Sequence, residues 1–264
     1  MGVTDKFTRP DVGIVGGTGS MGSWFAGLLE RFGSKVFRVG RKTDLTPYDA
    51  ARRCDVVVIS VPIADTVKVI QELGPLVPED SLLMDLTSIK KVPVETMLKY
   101  SSAQVVGAHP LFGPDMAANS ELTVAVCPGR GNSGLEWLSG IIRDAGLAVS
   151  VISPEKHDQI MGLVQGVNHF STLAMALSVS RSGLDLDEII NCSTQTFKER
   201  LGRIRSIIGQ PAGLFGSLLM DNPEAVGFVD EYVKAAGELS GITRGKDREA
   251  FKEVFEMLKR FFNR

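Results

Sequence analysis

The sequence predicts an α/β protein in two parts: a doubly wound parallel sheet over residues 1–152, then an all-helical domain over residues 153–264. Three observations carry that prediction. Short β-branched runs alternate with helical stretches up to Ile152, the pattern of a parallel sheet covered by helices on both faces. Strand signal all but disappears after Ser153. A glycine-rich turn sits between the first strand candidate and the first helix.

The strand candidates are Asp11–Gly16, Lys35–Gly40, Asp55–Ser60, Ser81–Leu86, Val105–His109, Leu122–Cys127 and Ala148–Ile152. Several are unbroken apolar runs, as strands buried on both faces should be. Helices fit between most of them, at Ser20–Phe32, Ala64–Leu73 and Gly134–Ala145. Ser153-Pro154-Glu155 then supplies an N-cap, a proline at the first helical position and an acid in the first turn. The helix that it starts is expected to run to about Ser182 and stop at Gly183, a length of roughly 40 Å. Ile160, Met161, Leu163, Val164, Val167, Phe170, Leu173, Met175 and Leu177 make it apolar on more than one side. It is therefore expected to be buried nearly all round, part of it by a second subunit. Further helices are expected at Leu186–Ile208, Gly213–Met220, Pro223–Ser240 and Lys246–Phe262.

Composition narrows the function. A formal net charge of −2 provides no field for nucleic acid and no polybasic membrane signal. Cys54, Cys127 and Cys192 lie far apart without metal-ligand spacing, so buried free thiols in a reducing compartment are expected. The first apolar run, Val12-Gly13-Ile14-Val15, is too brief for a signal segment or a membrane span, which points to the cytoplasm.

Gly17-Thr18-Gly19-Ser20-Met21-Gly22 has the G-x-G-x-x-G spacing in its required context, strand before and helix after. Glycines there permit a tight turn and close approach of backbone to a pyrophosphate, and the helix start offers unpaired N–H groups to the phosphates. The sheet is thus expected to be of the Rossmann type, with a bound dinucleotide. The second strand ends in Val39-Gly40-Arg41-Lys42-Thr43, where two cations and a hydroxyl suit a 2′-phosphate. NADP is favoured, and Asp44 keeps NAD open.

In such a sheet, ligands lie outside the carboxyl ends of the strands. The third strand delivers Ser60-Val61-Pro62 there, the fourth Asp85-Leu86-Thr87-Ser88-Ile89-Lys90, and the fifth Gly107-Ala108-His109-Pro110-Leu111-Phe112-Gly113-Pro114. An imidazole, with an ordinary pKa near ~6.5, can accept a hydroxyl proton at neutral pH, so His109 is the candidate base for oxidising an alcohol. Ser88 is a candidate to bond the same hydroxyl or orient the imidazole, with a helix N-cap as the alternative. Lys90 is a candidate to meet a carboxylate or the cofactor. His157, at the start of the long helix, is a candidate substrate contact, and His169 reads as an interface or core histidine.

At these residues the chain resembles the prephenate dehydrogenase family. Gly107–Pro114 is similar to that family's G-x-H-P-x-F-G-P string, Asp85–Lys90 to its D-x-x-S-x-K segment, and His157-Asp158-Gln159 to its H-D-x element. The resemblance runs from Val12 to about Phe262. It implies an NAD(P) domain followed by a helical domain that builds a homodimer. It also implies oxidative decarboxylation of prephenate to 4-hydroxyphenylpyruvate in tyrosine biosynthesis, with the residue matching His109 as base. The family further holds a substrate carboxylate with an arginine six residues before a proline. Arg205 stands six before Pro211, but the following Gln210–Phe215 departs from the usual pattern by one residue, so Arg203 stays in competition. At ~100° per residue the two point to opposite sides of one helix. The resemblance leaves open arogenate or 4-amino-4-deoxyprephenate as substrate, and a non-catalytic NADP sensor as a reading of another class. With neither a mutase segment before the glycine loop nor a regulatory segment after the last helix in view, any tyrosine inhibition would have to act at the active site or through the dimer.

Arg41→Ala should weaken NADP+ binding by roughly tenfold and leave NAD+ nearly unchanged. Titration of both cofactors checks this, and equal losses would show that Arg41 does not read the 2′-phosphate.

Overall fold

The computed structural model describes residues 6–114 and 122–263. Seven strands form one sheet: β1 (Asp11–Val15), β2 (Lys35–Val39), β3 (Val56–Ile59), β4 (Leu82–Asp85), β5 (Gln104–Pro110), β6 (Thr123–Arg130) and β7 (Ala148–Val151), in the spatial order β2-β1-β3-β4-β5-β6-β7. The first five are parallel throughout. β6 pairs antiparallel to β5, with Ala125 opposite His109, and β7 runs parallel to β6. The sheet is parallel as expected except at that pair. A parallel return needs a crossover connection, usually a helix, and β6 instead lies antiparallel beside β5.

Helices α1 (Ser20–Arg31), α2 (Pro47–Arg53), α3 (Ile63–Leu73), α4 (Lys91–Tyr100) and α5 (Ser133–Asp144) cover both faces. The alternation of strand side chains explains the two layers. Val12, Ile14, Val58, Met84 and Val106 pack with Phe25, Leu29 and Leu138 on one face. Val15, Val57, Ile59, Leu83 and Val105 pack with Ala50, Ile70 and Met97 on the other. Cys54 and Cys127 are buried free thiols, while Cys192 is exposed, contrary to expectation.

After β7 come α6 (Pro154–Met161), a π-helical segment at Gly162–Val167 and α7 (Asn168–Ser180), so the long helix of the sequence reading is interrupted by a wider turn. The stretch Leu186–Ile208 is two helices, α8 (Leu186–Asn191) and α9 (Gln195–Ile208), because the Thr194 side chain caps a new start by accepting from Phe197 N–H. α10 (Ala212–Met220), α11 (Pro223–Gly245) and α12 (Arg248–Phe262) complete the chain.

The chain forms two compact units: residues 1–161 with 211–222, and residues 162–210 with 223–264. Where the sequence pattern changes, at residue 153, the packing does not; α6 belongs to the sheet-bearing unit. In the other unit, Gly162 and Gly166 let α11 come close. A Cβ at Gly166 would lie 2.8 Å from Ala225 Cβ, and Ala225 is fully buried.

The expectation that the long helix is buried nearly all round is not met within one chain. No residue of α7 is buried, and Leu163, Val164 and Leu177 are about half exposed. Phe251, Phe255, Leu258 and Phe261 of α12 are exposed as well. The helical run Pro154–Ser180 holds an 18-residue window of mean hydropathy 1.2 and is long and apolar enough to cross a membrane by length and composition, yet Gln159, Gln165, Asn168 and His169 are spread along it. Monomeric soluble proteins rarely expose so much contiguous apolar surface. The expected outcome in sedimentation at micromolar concentration is a homodimer; a well-folded monomer would refute it.

Candidate active site

The turn after β1 lies at the topological switch point, because β2 is on one side of β1 and β3 on the other. Gly16 there has φ +85°, and a Cβ on it would sit 2.2 Å from Ser60 O. Gly22 in the first turn of α1 is just as constrained, since a Cβ would meet Gly16 O at 2.6 Å. These contacts hold the loop close to the helix start, and α1 has no acid in its first turn to oppose an anion. Thr18, Gly19 and Ser20 are exposed at this edge, Gly17 is buried, and Met21 packs on the core. The arrangement fits a dinucleotide pyrophosphate. Ser60 N–H is held by Val15 O, and Pro62 occupies the N-cap of α3.

Arg41 and Lys42 are exposed beyond β2, as a 2′-phosphate reader requires. Thr43 is not comparable. Its hydroxyl accepts from Gly40 N–H at 2.9 Å and lies 3.0 Å from Gly40 O, so it closes the turn that presents the two cations.

The other sequence-nominated polar groups converge at the ends of β4 and β5. Lys90 has no exposed surface. Its ammonium pairs with the Asp85 carboxylate and donates to Ala108 O at 2.8 Å. Room for its stem exists because residue 107 is glycine; a Cβ there would stand 3.1 Å from Lys90 Cδ and 2.7 Å from Val94 Cγ2. Lys90 does meet a carboxylate, but one of its own chain, so it is an internal support and not a hand extended to substrate. The Asp85 side chain also accepts from Thr87 N–H at 3.0 Å. Ser88 is half-buried and is not a helix cap, since α4 starts at Lys91 with Lys90 in the cap position.

His109 is 3% exposed and His157 1%. The Nδ1 of His109 lies 3.0 Å from Nε2 of His157. The other ring nitrogen of His157, Nδ1, lies 2.8 Å from Asp158 Oδ1. His157 therefore does not reach outward as a substrate contact; both of its nitrogens are engaged inside the protein. Asp158 had no role in the sequence reading, and it is the residue on which the cluster turns. Its Oδ1 accepts from Lys90 N–H at 2.7 Å and its Oδ2 from Lys91 N–H at 2.9 Å. Its carbonyl accepts from the Asn222 side chain at 2.9 Å. The signal was present in the His157-Asp158 pair at a helix start, but no spacing rule says what that pair faces.

Burial pushes the His109 imidazole well below its ordinary pKa, and the neighbouring His157 and Lys90 push it the same way. It is neutral at physiological pH and able to accept a proton. Phe112, two residues beyond Pro110, packs edge-on against Trp24 of α1 at 5.1 Å, which anchors the segment leaving His109.

Arg203 and Arg205 are both exposed on α9, whose buried stripe is Leu201, Ile204 and Ile207. Arg200, the third arginine there, donates toward Met175 Sδ at 4.0 Å. His169 is partly buried, and burial lowers its pKa.

A glycine loop at the switch point after β1 and a buried histidine at the carboxyl end of β5 are the parts expected of a nucleotide-binding dehydrogenase. Comparison with known proteins carries this further. Residues 34–142 match the profile of the prephenate dehydrogenase nucleotide-binding domain, and residues 153–257 that of the prephenate dehydrogenase dimerization domain. The chain is 31% identical over 276 residues to a probable arogenate/prephenate dehydrogenase of Methanocaldococcus jannaschii, covering 97% of this chain and 62% of that protein. It is 31% identical over 249 residues to the T-protein of Haemophilus influenzae, covering 94% of this chain and 66% of that protein. The chain thus spans just under two thirds of the length of these relatives. The crystal structure of prephenate dehydrogenase from Aquifex aeolicus, in complex with hydroxyphenyl propionate and NAD+, has the same fold. It superposes with a TM-score of 0.72 at 20% identity, covering 97% of this chain and 99% of that one. The protein belongs to the prephenate dehydrogenase family.

Lys90→Met would leave the Asp85 charge buried and unpaired, and should cost about 3–5 kcal/mol of stability. Adding Asp85→Leu should recover much of that loss. Urea unfolding of the single and double variants checks both statements; a double variant as unstable as the sum of the singles would refute the coupling.

Proposed function

We propose that the protein oxidatively decarboxylates prephenate with NADP+ or NAD+ as hydride acceptor, acting as a homodimer. The observation that carries this reading is a neutral, buried His109 at the carboxyl edge of the sheet that bears the glycine loop. The names of the relatives and the resemblance of Gly107–Pro114 support the substrate class. Arogenate is the second reading, favoured by the double name of the Methanocaldococcus relative.

A nicotinamide dinucleotide held by its pyrophosphate at the glycine loop would supply the hydride acceptor. The chain supplies the rest. Gly17 to Gly22 and the start of α1 hold the pyrophosphate, and Arg41 and Lys42 read the ribose 2′ position. His109 accepts the 4-hydroxyl proton of the substrate as hydride leaves C4. The ring carboxylate departs as CO2, and His109 returns the proton to the oxygen of the aromatic product. Ser88 bonds the same hydroxyl. Aromatisation drives the reaction, so the protein chiefly orients and polarises. Arg205 is our choice for the substrate carboxylate. A guanidinium grips a carboxylate through two parallel hydrogen bonds and fixes orientation as well as charge, and Arg203 is the alternative.

The test is reduction of NADP+ and NAD+ on adding prephenate or arogenate, with the product identified. His109→Asn should keep cofactor affinity and lose on the order of 10²–10⁴ in turnover. Arg205→Ala should raise the prephenate KM strongly with less change in kcat. If Arg203→Ala alone gives that signature, the assignment moves by two residues. Near-normal turnover of His109→Asn would remove His109 from the chemistry.

A further inference from the structure

A base working in this site must present a lone pair, and a neutral imidazole has only one. The geometry decides which nitrogen carries it. Asp158 is an acceptor for two backbone N–H groups, those of Lys90 and Lys91, and its Oδ1 lies 2.8 Å from His157 Nδ1. A carboxylate facing that nitrogen takes its N–H, so His157 carries its proton on Nδ1 and its lone pair on Nε2. That lone pair faces His109 Nδ1 at 3.0 Å, which fixes the proton of His109 on Nδ1 in turn. The lone pair of His109 is then on Nε2. Each assignment follows from the one before, and the chain starts at Asp158.

We propose that Asp158 and His157 are positioning residues that set the tautomer of His109 and carry the positive charge while His109 holds the substrate proton. This rests on reading His109 as the base. Once Nε2 of His109 takes the hydroxyl proton, the ring is an imidazolium with N–H on both nitrogens. Passing the Nδ1 proton to Nε2 of His157 leaves His109 neutral and puts the cation on His157, directly against the Asp158 carboxylate. The return of both protons by the same path restores the starting state, so nothing is consumed.

The charges around His109 among the described residues favour this partner. His109 is buried, and the nearby Lys90 ammonium opposes a second positive charge there. Lys90 is itself paired with Asp85 from the end of β4. On β6, the Cys127 thiol is pushed by burial up to about 12 and stays neutral. The Asp158 carboxylate on α6, reached through His157, is the counter-charge aligned with the imidazole pair. It is kept in place by the start of α4, while Asn222 holds its backbone.

The chain has three histidines, so nitrogen-15 imidazole spectra can resolve them, with His109→Asn and His157→Gln giving the assignments. The expected result at pH 8 is Nδ1–H on both His109 and His157, and a mixture of tautomers at His109 in Asp158→Asn. An Nε2–H tautomer at His109 in the unaltered protein would overturn the proposal. In kinetics, Asp158→Asn should lose about 10²–10⁴ in kcat, the scale on which an orienting carboxylate behind an imidazole base matters. Removing the carboxylate disfavours the protonated pair, so the acid limb of the kcat profile should move to lower pH. His157→Gln should retain more activity than His157→Phe, because the glutamine oxygen can still accept from His109 Nδ1–H. Loss of activity in step with melting temperature, with the acid limb unmoved, would mean a structural role only and would overturn it. If neither prephenate nor arogenate is turned over and the tautomers are as expected, the substrate reading falls while the tautomer assignment stands.

Discussion

Everything at the strand ends depends on one lysine that never meets solvent. Lys90 uses its side chain to join the end of β4, through Asp85, to the end of β5, through Ala108 O. With its backbone N–H it binds Asp158 of α6. Three segments distant in sequence are thereby locked around His109. Burying an ammonium and a carboxylate carries a desolvation penalty of several kcal/mol per ion, which their mutual attraction must offset. A well-packed apolar pair would hold the strands as well, but it would supply neither a donor for Ala108 O nor a positive field beside the imidazole.

That field shapes the chemistry. A histidine at a strand end in water would titrate near neutrality and be partly protonated. Burial, the second imidazole and the lysine hold the His109 imidazole well below its ordinary pKa, which suits the base proposed above. A proton taken up in a buried site beside an ammonium needs a counter-charge, and in the relay proposed above the His157 and Asp158 contacts answer that need. The same logic explains why α6 packs with the sheet although the sequence pattern changes before it. Its first two turns carry His157 and Asp158 and are tied to the start of α4 and to Asn222.

The helical unit obeys a different constraint. Gly162 and Gly166 let the π segment and α11 approach closely, and Phe170 meets Tyr232 edge-on at 6.0 Å. Those contacts use one side of the helices. Much of the apolar surface on α7 and α12 is left facing outward, which a solitary chain of this composition has no means to cover.

The strand and helix order of the sheet was legible in the sequence because it is written in local patterns: apolar runs of four or five residues, and glycines at fixed spacing between a strand and a helix. The glycine loop and the strand-end position of His109 were legible for the same reason. The antiparallel β6 was not, since strand direction depends on how a link travels in space. The break at Thr194 was not, because the hydrophobic period carries through it. Nor were the tasks of Lys90, His157 and Asp158. Their residue types permit substrate contact as readily as internal pairing, and the partners lie 48 and 68 residues apart for His109–His157 and Lys90–Asp158. A hydrogen bond is a matter of about 3 Å, and no spacing rule along the chain encodes that distance between segments brought together by packing. The sequence by itself determined which groups could do chemistry; tertiary structure decided which of them face each other.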